Sequence, residues 1–125
     1  MTNLVDSCGW LEYFADGTNS DFFAPAIEDT DNLIVPTICI LEVFKRVLQQ
    51  RTEVDALQAV ALMQQGQIID LDTSIALSAA KISYKIKLPL ADSVILATAH
   101  TREAWIWTQD ADLKGIGMVK YIRKS

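Results

Sequence analysis

The sequence contains a single histidine, His100, and two cysteines, Cys8 and Cys39. A Ser-His-Asp hydrolase would have to use that one imidazole, and no Gly-x-Ser-x-Gly turn is present to carry its nucleophile. The cysteines lack metal-ligand spacing, which excludes a zinc module. Their apolar neighbours suit a reduced, cytoplasmic setting. A Gly-rich phosphate loop is also missing, which argues against nucleoside-triphosphate chemistry. No apolar run approaches the length of a membrane span. The first residues lack a basic region and are interrupted by Asp6, so no secretory signal is expected. With five glycines, three prolines and no low-complexity stretch or linker, residues 1–125 are read as one domain.

Positive charge is scarce and unevenly placed. The net charge is −5, which argues against holding nucleic acid by broad electrostatic attraction. Every charge before Lys45 is negative and every charge after Asp112 is positive. The basic end made by Lys114, Lys120, Arg123 and Lys124 reads most simply as solvated surface.

Half of the residues are apolar, and their grouping predicts the elements. Asn3 to Asp6 is a short strand ending in an acid, and Ser7 can cap the helix after it. A second short helix starts at Ser20 or Asp21. Leu33-Ile34-Val35 is a buried strand stopped by Pro36. Thr37 opens a helix to about Gln50, apolar on most of its circumference and therefore expected to be largely covered. Thr52 opens another helix, ended by Gly66. Gln67 to Leu71 is a strand, and Asp72 or Thr73 caps a helix to about Lys87. Leu88 to Leu113 then supplies a helix entered through Pro89 and a strand, Trp105 to Thr108, with both tryptophans read as core. Met118 to Ile122 is a last strand. Apolar strands separated by helices imply an α/β fold with a parallel sheet covered on both faces.

Acids recur where strands end. Asp6 follows the first strand, and Asp110 and Asp112 follow the fourth. Glu42 lies in the helix after the second strand. Asp92 shares a helix face with Ile95, Leu96 and Ala99, so it points with the core stripe, where a carboxylate is costly unless paired, protonated or bound to a cation. Open α/β sheets bind ligands beyond the carboxyl ends of their strands. If the first and fourth strands are neighbours, these acids reach one crevice. An all-oxygen donor set without histidine or thiolate suits Mg²⁺ or Mn²⁺, which can activate water against a phosphodiester. Each acid also has a plainer use. Asp6 can cap a helix, Glu42 can pair with Arg46 at i+4, Asp110 and Asp112 can form an Asx turn, and Asp92 can answer the helix dipole. His100 is expected on a helix surface, and Asp6 should discourage a reactive thiolate at Cys8.

Taken in order, Val5-Asp6-Ser7, Glu42 in the helix entered through Pro36-Thr37, Asp92 to Ala99, and Thr108-Gln109-Asp110-Ala111-Asp112-Leu113 resemble the PIN-domain family, most closely its small VapC-like toxin ribonucleases. The resemblance spans nearly the whole chain. It implies a five-stranded parallel sheet ordered 3-2-1-4-5 and a Mg²⁺- or Mn²⁺-dependent endoribonuclease. Asp6, Glu42, Asp92 and Asp110 would be its catalytic acids. Asp6, Asp92 and Asp110 would be metal ligands with Asp112 in support, and Ser7 and Thr108 would orient them. It further implies the toxin of a toxin–antitoxin pair, a homodimer silenced by a small antitoxin protein. Ser7-Cys8 replaces the commoner Thr-Asn or Ser-Ser, and Leu113 replaces the usual aromatic. Because the chain is acidic, RNA would need local basic contacts, for which Lys45, Arg46, Arg51 and the C-terminal cluster are candidates.

Two other classes are open. A receiver-like phospho-accepting module also gathers acids around Mg²⁺ on a doubly wound sheet, but wants paired acids where Ser7 and Cys8 stand. A PIN-fold protein kept only for RNA binding would retain the fold without cleavage.

Overall fold

A computed structural model describes residues 1–125. The elements run β1 (Asn3–Val5), α1 (Ser7–Phe14), α2 (Ser20–Glu28), β2 (Leu33–Pro36), α3 (Thr37–Gln50), α4 (Glu53–Met63), β3 (Gln67–Ile69), α5 (Thr73–Ile86), α6 (Leu90–Arg102), β4 (Trp105–Thr108) and β5 (Val119–Tyr121). All strand pairs are parallel, in the order β3-β2-β1-β4-β5. Leu4 faces Ile34 on one side and Ile106 on the other. The chain moves outward from β1 through β2 to β3, then returns to the far side of β1 for β4. The strand order therefore reverses between β1 and β4, the place where such sheets bind ligands.

The central strands are continuous apolar runs because both faces are covered. All residues of β1 and β2 are buried. β4 alternates instead, with Ile106 and Thr108 buried and Trp105 and Trp107 only partly so. The two tryptophans are thus not full core residues. Phe22 packs 5.3 Å from the Trp107 ring, Lys120 Nζ lies 4.8 Å from it, and the indole N–H donates to Asn3 Oδ1 at 2.9 Å.

The helix starts differ in detail from the expectation. Asp6, not Ser7, caps α1, and its carboxylate accepts the Ser7 N–H at 2.7 Å. Pro36 holds the cap position of α3, and Thr37 Oγ1 instead accepts the Leu71 N–H at 3.2 Å, tying that helix to the segment beyond β3. Thr52 and Asp55 form a reciprocal capping box, and Asp72 caps α5. Only Cys39 and Val43 of α3 are buried, while Leu41 and Leu48 are exposed. Its neighbours α4, α1, α6 and β2 cover one stripe, which a helix apolar on several faces does not by itself reveal. At Gly9 an added Cβ would come within 2.6 Å of the Phe23 ring and 2.7 Å of Val5 Cγ1. The missing side chain lets α1 lie close to α2 and β1, which fixes the direction of the turn carrying Asp6. No helix is long and apolar enough to cross a membrane.

Candidate metal centre

The site grows from the end of β1. Asp6 is only 4 % exposed, and its carboxylate is held from several sides. Ser7 N–H donates to Oδ1, while Thr108 Oγ1 donates to Oδ2 at 2.8 Å and Cys8 Sγ lies 3.4 Å from the same oxygen. Burial raises the Asp6 pKa above its ordinary value despite these donors. Thr108 ends β4 and works twice, because its hydroxyl also accepts the Asp110 N–H at 2.9 Å. Asp110 in turn accepts the Asp112 N–H at 2.9 Å, closing the Asx turn that leads into a short 3₁₀ segment.

Asp92 arrives from the other direction, in the first turn of α6. Ile95, Leu96 and Ala99, which share its face, are buried, so the same stripe that fills the core carries the acid to the sheet edge. Asp92 is 9 % exposed, and its pKa is pushed up to about 7 by burial first, then by the charges of Asp110 and Asp6. Carboxylate oxygens of Asp6, Asp92 and Asp110 all lie within 4.8 Å of one another. Like charges that close repel by roughly 3–4 kcal/mol per pair at an effective dielectric constant of about 20. The arrangement is stable only with protons or a cation shared among them.

The other acids stand outside this triad. Glu42 accepts a hydrogen bond from Ser7 Oγ at 2.7 Å, which joins α3 to the turn carrying Asp6. Asp112 is exposed and reaches Asp92 only through its charge. Three oxygen donors suit a hard divalent cation. Cys8 does not alter that donor set, since burial and the neighbouring Asp6 push its thiol up to about 12 and keep the proton on sulfur.

Beside the triad lies a groove of about 610 Å³ between α1, α3 and α4. Cys8 and Gln109, neighbours of Asp6 and Asp110 in the chain, line it, as do Arg46, Arg51 and Lys124. Lys45 is not among its lining residues. Sequence reasoning missed a buried network at its edge. Asn19 N–H donates to Glu12 Oε2 at 2.7 Å, and Asn19 Nδ2 donates to Gln109 Oε1 and to the Arg123 carbonyl, both at 3.0 Å. No local pattern marks it, because two of Asn19's three partners lie 90 and 104 positions away in the chain.

A wholly parallel sheet ordered 3-2-1-4-5, with acids gathered beyond β1 and β4, defines a doubly wound α/β domain whose ligand-binding edge is acidic. The family model described as PIN domain matches residues 4–117, and the chain belongs to the PIN-domain family. No curated protein sequence matches it. Among solved structures, a toxin–antitoxin complex from Klebsiella pneumoniae superposes with a TM-score of 0.80 at 22 % identity, covering 95 % of this chain and 96 % of that one. VapC20 of Mycobacterium tuberculosis, a sarcin–ricin-loop-cleaving toxin, superposes at 0.80 and 12 % identity, covering 98 % and 100 %. VapBC2 of Rickettsia felis, bound to a fragment of its promoter DNA, gives 0.74 at 11 % identity, covering 98 % of each chain. The chain shares the fold of these structures.

Proposed function

We propose that this protein is a Mg²⁺- or Mn²⁺-dependent endoribonuclease, the toxin of a toxin–antitoxin pair. The observation that carries the reading is the meeting of Asp6, Asp92 and Asp110 within 4.8 Å at the switch point of the sheet. These three would hold the cation. A cation held there would activate water and offset charge on the phosphodiester. Thr108 keeps Asp6 Oδ2 in place and sets the Asp110 turn through one hydroxyl. Ser7 fixes Asp6 through its N–H and Glu42 through its hydroxyl, so the fourth acid is oriented by the same turn. Asp112 adds negative charge near Asp92 from outside the triad. Arg46, Arg51 and Lys124, which line the adjoining groove, are the cations best placed to draw in an RNA strand. Lys45 would act only at its margin. The toxin–antitoxin complexes among the structural neighbours support an antitoxin partner, and a homodimeric working form in the cytoplasm completes the reading.

The test uses the purified chain, a structured RNA, and Mg²⁺ or Mn²⁺ with a chelator control. Cutting is expected with metal and not with chelator. Asp6→Ala and Asp92→Asn should each abolish it while circular dichroism shows a folded protein. Undiminished cutting by both variants would overturn the assignment. A protein that binds Mn²⁺ and RNA but never cuts would instead be a binding module.

A further inference from the structure

The Asn19 network has a direction, and that direction decides what Gln109 offers to the groove. The Arg123 backbone carbonyl can only accept, so the group of Asn19 that faces it must be the NH₂. The same Nδ2 donates to Gln109, which must therefore present its Oε1 to Asn19. The Gln109 amide is thereby turned with its own NH₂ away from Asn19. Trp10 Nε1 is the one enclosed side-chain polar atom without a partner. Gln109 Nε2 donates to no protein acceptor and is not enclosed, and Gln109 lines the groove. The side chain is only 9 % exposed and Asn19 only 7 %, so the donor is fixed in place and not free on a surface.

We propose that Gln109 is a substrate-contacting residue. Its amide donates a hydrogen bond to an acceptor oxygen of the RNA strand in the groove, next to the bond held at the acidic triad, and Asn19 is the positioning residue that fixes its polarity. The inference rests on the nuclease reading above. Gln109 directly precedes Asp110, so a strand reaching the triad passes this amide. Arg46 and Arg51 are exposed and supply charge along the groove, whereas the Gln109 amide is held by Asn19. A buried amide with one end already committed is the more selective contact. The C-terminal segment has a part as well, since the Arg123 carbonyl is what sets the relay.

Steady-state cleavage of a short RNA with Mn²⁺ separates the possibilities. Wild-type cleavage is the control, and its absence would sink the nuclease reading without touching Gln109. With cleavage established, Gln109→Met keeps the length of the side chain and removes both polar ends. It is expected to raise KM about tenfold, the weight of one lost hydrogen bond, with kcat within about twofold. Asn19→Asp makes residue 19 an acceptor, draws the Gln109 NH₂ out of the groove and should raise KM by a similar factor. The double variant should be no worse than either single one, because both remove the same contact. A thermal melt and a Mn²⁺ titration accompany each variant. For Gln109→Met the Mn²⁺ affinity should not change and the protein should stay folded, with the melting temperature lowered only by the lost Asn19–Gln109 hydrogen bond. An unchanged KM in Gln109→Met, or a loss confined to kcat or to Mn²⁺ affinity, would overturn the proposal. So would fully additive effects of the two substitutions.

Discussion

The two ends of α6 make an instructive pair. At its start Asp92 is buried against two other carboxylates and has a pKa pushed up to about 7. At its finish His100 is exposed, and Glu103 takes a left-handed conformation with φ of 50° to close the helix. A pocket of about 130 Å³ there is lined mainly by apolar groups such as Leu96, Ala99 and Ile106. One helix thus carries titratable groups at both ends, yet only one end concentrates them out of water. The fold accepts electrostatic strain where β1 and β4 end and avoids it where they begin. Strain confined to one end of an otherwise relaxed helix is the signature of a site and not of poor packing.

Several measurements can break or sharpen this contrast. The largest effect should be on cleavage. Asp92→Asn is expected to lower kcat at least a hundredfold, a ligand's worth of about 3 kcal/mol or more, whereas His100→Ala should stay within twofold under the same assay.

Stability against pH should also separate the ends. The folded-state pKa of Asp92 lies above its ordinary value of 3.8, so the folded protein binds that proton more tightly than the unfolded chain does. The stabilisation is complete below about pH 4, declines as pH rises towards about 7, and is gone above that. Asp6, also raised, adds to the same trend. Chemical denaturation of metal-free protein between pH 4 and 8 should therefore show falling stability, and Asp92→Asn should flatten the curve. At pH 7.5 without metal that variant should be the more stable protein by roughly 1–2 kcal/mol, a trade of stability against activity. A wild-type curve that rises over this range would remove the electrostatic account.

Cation binding gives the next effect. Mn²⁺ at a hundred times its dissociation constant should stabilise the wild type by about 2.7 kcal/mol, and Asp92→Asn far less. The affinity should strengthen as pH approaches 7 from below, because the proton on Asp92 competes with the ion. Calorimetric titration at pH 6 and pH 7.5 reads this directly. Of comparable size is Thr108→Val, which deletes a hydroxyl that donates to Asp6 and accepts from Asp110 N–H. It should cost about 1–3 kcal/mol in a urea melt, since it leaves a buried carboxylate short of a donor. Smallest is His100→Ala, expected to change stability by less than about 0.5 kcal/mol, as an exposed substitution does.

Much of this architecture was legible in the sequence, for reasons particular residues supply. β1 and β2 are short runs without a charged residue, and each ends in a residue that stops or caps, Asp6 or Pro36, so their extent and burial could be read from a few letters. Asp92 was legible as an anomaly, because helical spacing put it on the face of Ile95 and Leu96. The strand order came from family resemblance, and the alignment of β1 with β4 bears it out. What was not legible depends on contacts that spacing does not encode. The half-exposure of Trp105 and Trp107 follows from what stands beside them, Phe22 and Lys120, and not from their own hydropathy. The exposed face of α3 reflects which neighbours reach it. Asn19 carries no signal in the sequence, and only its position against Gln109 and the C-terminal segment gives it a part beside the groove.

The margins of the sheet bear on how the protein behaves in a crowded solution. Both outer strands, β3 and β5, are only three residues long. On β5, Lys120 lies across the faces of Trp105 and Trp107, 5.6 and 4.8 Å from the ring centres. A long row of unpaired amides is what templates edge-to-edge aggregation, and a cation laid over the apolar surface beside such an edge discourages it. The acidic crevice can therefore sit at the middle of an open sheet without the sheet recruiting further chains at its rims.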